Sequence, residues 1–212
     1  MNDLPILFFL QLITDVLLSL IGLYFFRKAS IPMKILICLF ILHAIVDFVG
    51  VYLAMSGTQN LWLHHIYTPI EFALFMSAFA FWQEDKKVQS IMLTTAIIFS
   101  LICVFATFYL GTLSKFDSVT SSISRVILVG VAVHTLVKLY MDNYTSQYTD
   151  SRFWISAGVL TYFIGTIPIF CFSNQIIHLS PASVLVVWSV SWGVTTIANM
   201  LYAGGLFCPS HQ

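Results

Sequence analysis

Residues 33–55 read MKILICLFILHAIVDFVGVYLAM, a run in which only Lys34, His43 and Asp47 are charged or gain charge near neutral pH. The hydrocarbon core of a bilayer is roughly 30 Å thick, and an α-helix rising about 1.5 Å per residue crosses it in about 20 apolar residues. The stretch therefore reads as a membrane-spanning helix, with an imidazole and a carboxylate four residues apart near its middle. On either side of it the chain offers six comparable runs, at residues 4–26, 61–82, 88–110, 119–141, 153–172 and 181–207. The expectation is an all-α, single-domain, polytopic membrane bundle of seven transmembrane helices. Pro32 and Pro181 stand where a first helical turn tolerates proline.

Composition supports this reading. Of 212 residues, 59% are hydrophobic and 8% charged, with mean hydropathy +0.92, whereas a soluble domain is about a quarter charged. Nine basic residues balance nine acidic ones, which leaves no cationic surface for nucleic acid, so lipid is the expected partner. The four cysteines are far apart and form no C-x-x-C pair, as packing residues would. Arg27, Lys28, Lys34, Lys86, Lys87, Lys138 and Arg152 flank the links after helices one, three and five, against Lys115 and Arg125 on the other side. Cations gather on the cytoplasmic side, which predicts the N-terminus outside and the C-terminus inside. Trp62, Tyr67 and Tyr109 would then anchor the outer interface, and Tyr24, Trp82, Tyr140, Trp154 and Tyr202 the inner one.

The residues that do not belong in hydrocarbon carry the functional reading. Each charge at a helix centre costs roughly 2.5–3.5 kcal/mol, so Asp15, Asp47 and Glu71 facing lipid would together cost about 8–10 kcal/mol. They are expected to face the interior. At about 1.5 Å per residue they lie, with His43 and His134, roughly 12–22 Å below the outer boundary. Gln11, Asp15 and Ser19 share one face of their helix, as do His43 and Asp47, and His64, Thr68 and Glu71. Gly130, His134 and Lys138 form a further stripe, and Trp188, Trp192, Thr195 or Thr196, and Asn199 another. Arg125, nine residues from His134 and so half a turn out of phase, is expected to point elsewhere. Pro69 cannot donate to the carbonyl of His65, which leaves a free oxygen one turn above Glu71.

Three chemistries fit such a layer. One is an ion- or small-molecule-binding membrane module, sensory or accessory, built on Asp15, His43, Asp47, Thr68, Glu71, His134 and Asn199, with a protein partner in the membrane to read its state. A second is an intramembrane enzyme acting on a lipid-like substrate, with zinc or iron held by His43, Asp47, Glu71 and His64 or His65. A third is proton-coupled transport through Glu71 and Asp47. The last helix has no lysine for retinal. Its segment Trp192 to Tyr202 also lacks the H-x-x-x-H of metal-dependent seven-helix lipid hydrolases. Haem between His43 and His134 has no supporting pattern.

From Asn60 to Phe72, over Phe153 to Phe163 and from Trp188 to Tyr202, the sequence resembles small seven-helix proteins of bacterial genomes. That resemblance implies the fold and a bacterial inner-membrane location, without implying an activity. Over helices two and three only, Asp47 and Pro69-Ile70-Glu71 resemble the Asp and Pro-x-Glu-Glu of membrane lycopene cyclases. Phe72 replaces the second Glu, and helix seven lacks their Pro-x-Glu-Asp. The likeness implies that acids at these depths can serve chemistry on an apolar substrate.

Overall fold

A computed structural model describes residues 5–109, 115–141 and 147–208. Those residues form eight α-helices and one short 3-10 turn. The long helices are α1 (Ile6–Phe25), α2 (Ile31–Met55), α3 (Trp62–Phe81), α4 (Lys86–Tyr109), α5 (Ser118–Met141), α6 (Ser151–Cys171) and α8 (Pro181–Phe207), with a single turn α7 (Ser173–Ile176) between the last two. Their bounds follow the apolar runs to within two residues. Leu4 and Leu110, which close the expected first and fourth spans, lie outside the described residues.

The helix ends carry their own signals. Asp150 caps α6, its carboxylate accepting from the Arg152 amide at 2.8 Å and from the Arg152 guanidinium at 2.7 Å. Ser180 caps α8 by accepting from the Ser183 amide, with Pro181 in the first turn. Helix α2 ends at Gly57, whose φ of 68° is the left-handed conformation that favours glycine. The Gly57 amide reaches Ala54 O and the Thr58 amide reaches Leu53 O, the paired bonds of a Schellman cap.

Helix α1 packs on α2 and α8, α2 on α3, α3 on α5, α5 on α6 and α6 on α8, closing a ring of six helices. Helix α4 lies outside that ring, against α3. The α6/α8 seam is the most extensive, and glycines bring it close. A Cβ on Gly158 would stand 2.4 Å from the Tyr202 ring, and one on Gly205 2.9 Å from Ile155. Small residues at such seams let helices approach in lipid, where apolar burial gives no drive to associate.

Six of the helices, all the long ones except α3, are long and apolar enough to cross a membrane. Their outer faces carry exposed Ile13, Leu17, Leu20, Ile98, Leu101 and Phe105, a surface suited to acyl chains and unfit for water. The chain is thus an all-α bundle of the multi-pass membrane type. Helix α3, expected as the third of seven spans, is not among those six. It matches the others in length but holds His64, His65, Thr68, Pro69 and Glu71, and it buries eleven residues against its neighbours. Surrounded by α2, α4 and α5, it has little need of an apolar exterior.

The links sort to two ends. Lys28 and Ala29 share a hollow with Leu206 to Cys208, and the Cys208 thiol contacts Tyr148 O at 3.6 Å. At the opposite end His65 Nε2 meets Lys115 O at 2.9 Å, and Asn174 pairs with the backbone of Phe116. All four cysteines are free thiols.

Candidate functional site

The i, i+4 register of Gln11 and Asp15 turns both inward from α1, where they are 8% and 2% exposed. The same register on α2 sets His43 one turn from Asp47. Helices α1 and α2 are neighbours, so these four side chains meet. His43 Nε2 lies 3.9 Å from Asp15 Oδ1 and 3.8 Å from Asp47 Oδ2. The Gln11 amide donates to Asp47 Oδ2 and, at 3.4 Å, to Asp15 Oδ2. From α8, the Asn199 amide donates to Asp15 Oδ1 at 2.6 Å and to Thr14 Oγ1 at 3.1 Å. Asp15 is thus enclosed between the first and last helices, while the Asp47 side chain keeps 24% of its surface open.

On the far side of the imidazole, His43 Nδ1 lies 2.8 Å from the Tyr67 hydroxyl, and Glu71, one helical turn along α3, lines the same cavity as Tyr67. Glu71 is 3% exposed. The Tyr67 contact holds Nδ1 and turns Nε2 toward the two aspartates. Carboxylates, imidazole, phenol and carboxyl therefore follow one another from α1 and α2 into α3, a sequence of groups able to hand on a proton.

Asp15, His43, Tyr67 and Glu71 border a cavity of about 20 Å³, lined also by Tyr162, Thr195, Asn199, Tyr202 and the apolar Leu18, Leu39, Phe40 and Phe75. That is room for an ion or about one water and too little for a bulky ligand. The Tyr202 hydroxyl, on a residue 5% exposed, has no hydrogen-bond partner among the described residues. A buried polar atom left unpaired costs roughly 1–3 kcal/mol, which an occupant of the cavity would recover.

The remaining expected site residues lie elsewhere. Thr68 Oγ1 pairs with Ser121 Oγ at 3.0 Å and ties α3 to α5. His64 sits between the Phe116 and Phe170 rings, with Trp188 against the same two rings. Trp192 packs on Phe8. His134 is on the exposed side of α5 together with Gly130, away from the layer it was expected to join. The buried side of α5 is the opposite one, carrying Ser121, Ser124, Arg125, Leu128 and Ala132. Arg125, expected to point elsewhere, is 2% exposed. Its guanidinium lies 3.7 Å from the centre of the Phe170 ring and donates to Ser121 O at 3.2 Å and Thr166 Oγ1 at 3.3 Å. Stacking and hydrogen bonds together make that burial tolerable. Ser19 is occupied with the Asp15 carbonyl at 2.8 Å.

Two tyrosines expected at the interfaces belong to the site instead. Tyr67 and Tyr202 are 7% and 5% exposed and line the cavity. The available signal was register: Tyr67 stands four residues before Glu71 and Tyr202 three after Asn199. Set against protein-family models, curated proteins and solved structures, the chain matches none.

Proposed function

We propose that this chain is a seven-span membrane protein with its N-terminus outside, α3 being the seventh span, and that its interior cluster binds a cation or small polar ligand in a sensory or accessory role. The orientation rests on the end that gathers Lys28, Lys34 and Arg152 being cytoplasmic. The observation that carries the functional reading is the meeting of Asp15, His43 and Asp47 beside a cavity that Asp15 and His43 line together with Asn199, Tyr67 and Glu71. Side chains of α1, α2, α3 and α8 all contribute, so an occupant would bias how those helices pack, which is what a sensor requires.

A ligand bound to the folded state alone stabilises it by RT ln(1 + [L]/Kd), about 2.7 kcal/mol at a hundredfold excess over Kd. The test is thermal unfolding of the purified protein in detergent against a panel of sodium, potassium, ammonium, magnesium, calcium, manganese and zinc salts. At least one cation raises the midpoint of the native chain and leaves Asp47→Asn unmoved. Equal shifts in both proteins, or none across the panel, refute the reading.

The His43–Tyr67–Glu71 succession favours a second reading, proton-coupled transport. Proton uptake by reconstituted vesicles that disappears in Glu71→Gln supports it, and uptake that survives the substitution removes it.

A further inference from the structure

The spacing of the three donor atoms says more about the occupant. His43 Nε2 stands 3.8 and 3.9 Å from the aspartate oxygens, beyond the 2.7–3.2 Å of a direct N–H···O bond. Asp15, His43 and Asp47 nonetheless offer one donor atom each within 4.8 Å of one another. Three atoms so spaced share a centre roughly 2.1–2.5 Å from each, beside the roughly 2.0–2.2 Å of zinc–nitrogen and zinc–carboxylate bonds.

We propose that Asp15, His43 and Asp47 form a binding site for a divalent first-row transition metal, with zinc as its simplest occupant. The proposal rests on the cation-binding reading above and narrows it. The surroundings fit a metal centre. His43 engages Tyr67 through its other nitrogen, and the Gln11 and Asn199 amides orient the two carboxylates, the outer-shell support that metal-ligating imidazoles and carboxylates require. Three protein donors leave an open position on the cavity side. There the partnerless Tyr202 hydroxyl lines the wall and is available to a bound water.

Two aspartate oxygens beside one imidazole nitrogen make a donor set that suits a divalent cation. One imidazole with two carboxylates suits zinc, iron(II) or manganese better than the soft-ligand metals. Calcium, which takes six to eight oxygens, is poorly served by three donors. The metal set expected from the sequence keeps His43 and Asp47 but takes Asp15 in place of Glu71 and His64. Glu71 stands one turn beyond Tyr67 on α3 and outside the group of three donors, and His64 lies among the Phe116 and Phe170 rings.

The experiment is equilibrium dialysis of the purified, chelator-treated full chain against zinc, with cobalt(II) as a spectroscopic probe. One equivalent of zinc per chain is expected, with visible cobalt bands of a low-symmetry nitrogen–oxygen site. Asp47→Asn, at the partly open position, lowers zinc affinity at least tenfold, as does His43→Gln. His178→Ala leaves it unchanged, which separates this site from surface histidine. Circular dichroism and a monodisperse elution profile show that each variant is folded. Substoichiometric zinc, or a full equivalent retained in both Asp47→Asn and His43→Gln, overturns the metal site. If zinc fails while another cation of the panel still stabilises the native chain through Asp47, the broader reading stands alone. If no cation does, both fall together.

Discussion

Gly158→Ala tests whether the α6/α8 seam closes as tightly as described. The new methyl would lie 2.4 Å from Cε1 and 2.6 Å from Cδ1 of Tyr202, about 1 Å inside ordinary contact. The ring cannot swing away freely, because its other face stacks on Phe40 with centroids 4.9 Å apart and Phe75 stands at 6.3 Å. Overpacking of this kind costs about 1–3 kcal/mol, partly offset because alanine is favoured over glycine within a helix by about 0.5–1 kcal/mol. Gly130→Ala isolates that offset, since nothing lies within 4 Å of a Cβ at Gly130. The two variants should therefore differ by the overpacking alone. At about 2–4 °C per kcal/mol for a chain of this size, Gly158→Ala should unfold roughly 2–12 °C below Gly130→Ala when both are heated in the same detergent. Gly130→Ala itself should sit at or slightly above the native midpoint. Coincident midpoints would refute the close approach, and with it the placing of Tyr202 on the cavity wall.

Arg125→Lys keeps the charge but loses the planar stack on Phe170 and the forked donation to Thr166 and Ser121, so it should lower stability by about 1–2 kcal/mol, read as a fall in thermal midpoint. An unchanged midpoint would mean that the stacked guanidinium contributes nothing. His134→Leu, on the outward face of α5, should change stability by no more than about 0.5 kcal/mol and leave cation-induced stabilisation intact. Loss of that stabilisation would place His134 back in the shared layer.

The apolar runs made the helices legible because hydropathy over twenty residues is a local property, and caps such as Asp150 and Ser180 only trimmed the ends. The convergence of Asp15, His43 and Asp47 was legible for a different reason: a carboxylate in hydrocarbon is costly enough that it must turn inward, and i, i+4 spacing says which residues turn with it. The phase of α5 was not. That helix carries two polar stripes half a turn apart, one with His134 and one with Arg125, and nothing in its own sequence selects between them. The selection is made by Phe170 and Thr166 on α6, which accept the guanidinium. Tyr67 and Tyr202 misled in the same way, since a tyrosine suits an interfacial belt and a buried cavity wall equally well. Only the neighbours supplied by α2 and α6 decide between the two.

The Asn199–Asp15 bond joins residues 184 apart in sequence, which constrains the order of assembly. A ribosome adding about 5–20 residues per second takes roughly 10–40 s to reach Asn199 after Asp15 has emerged. During that interval α1 waits in the bilayer with a carboxylate whose principal donor does not yet exist. A premature stop that removes α8 should therefore destabilise α1, whose Asp15 loses that donor.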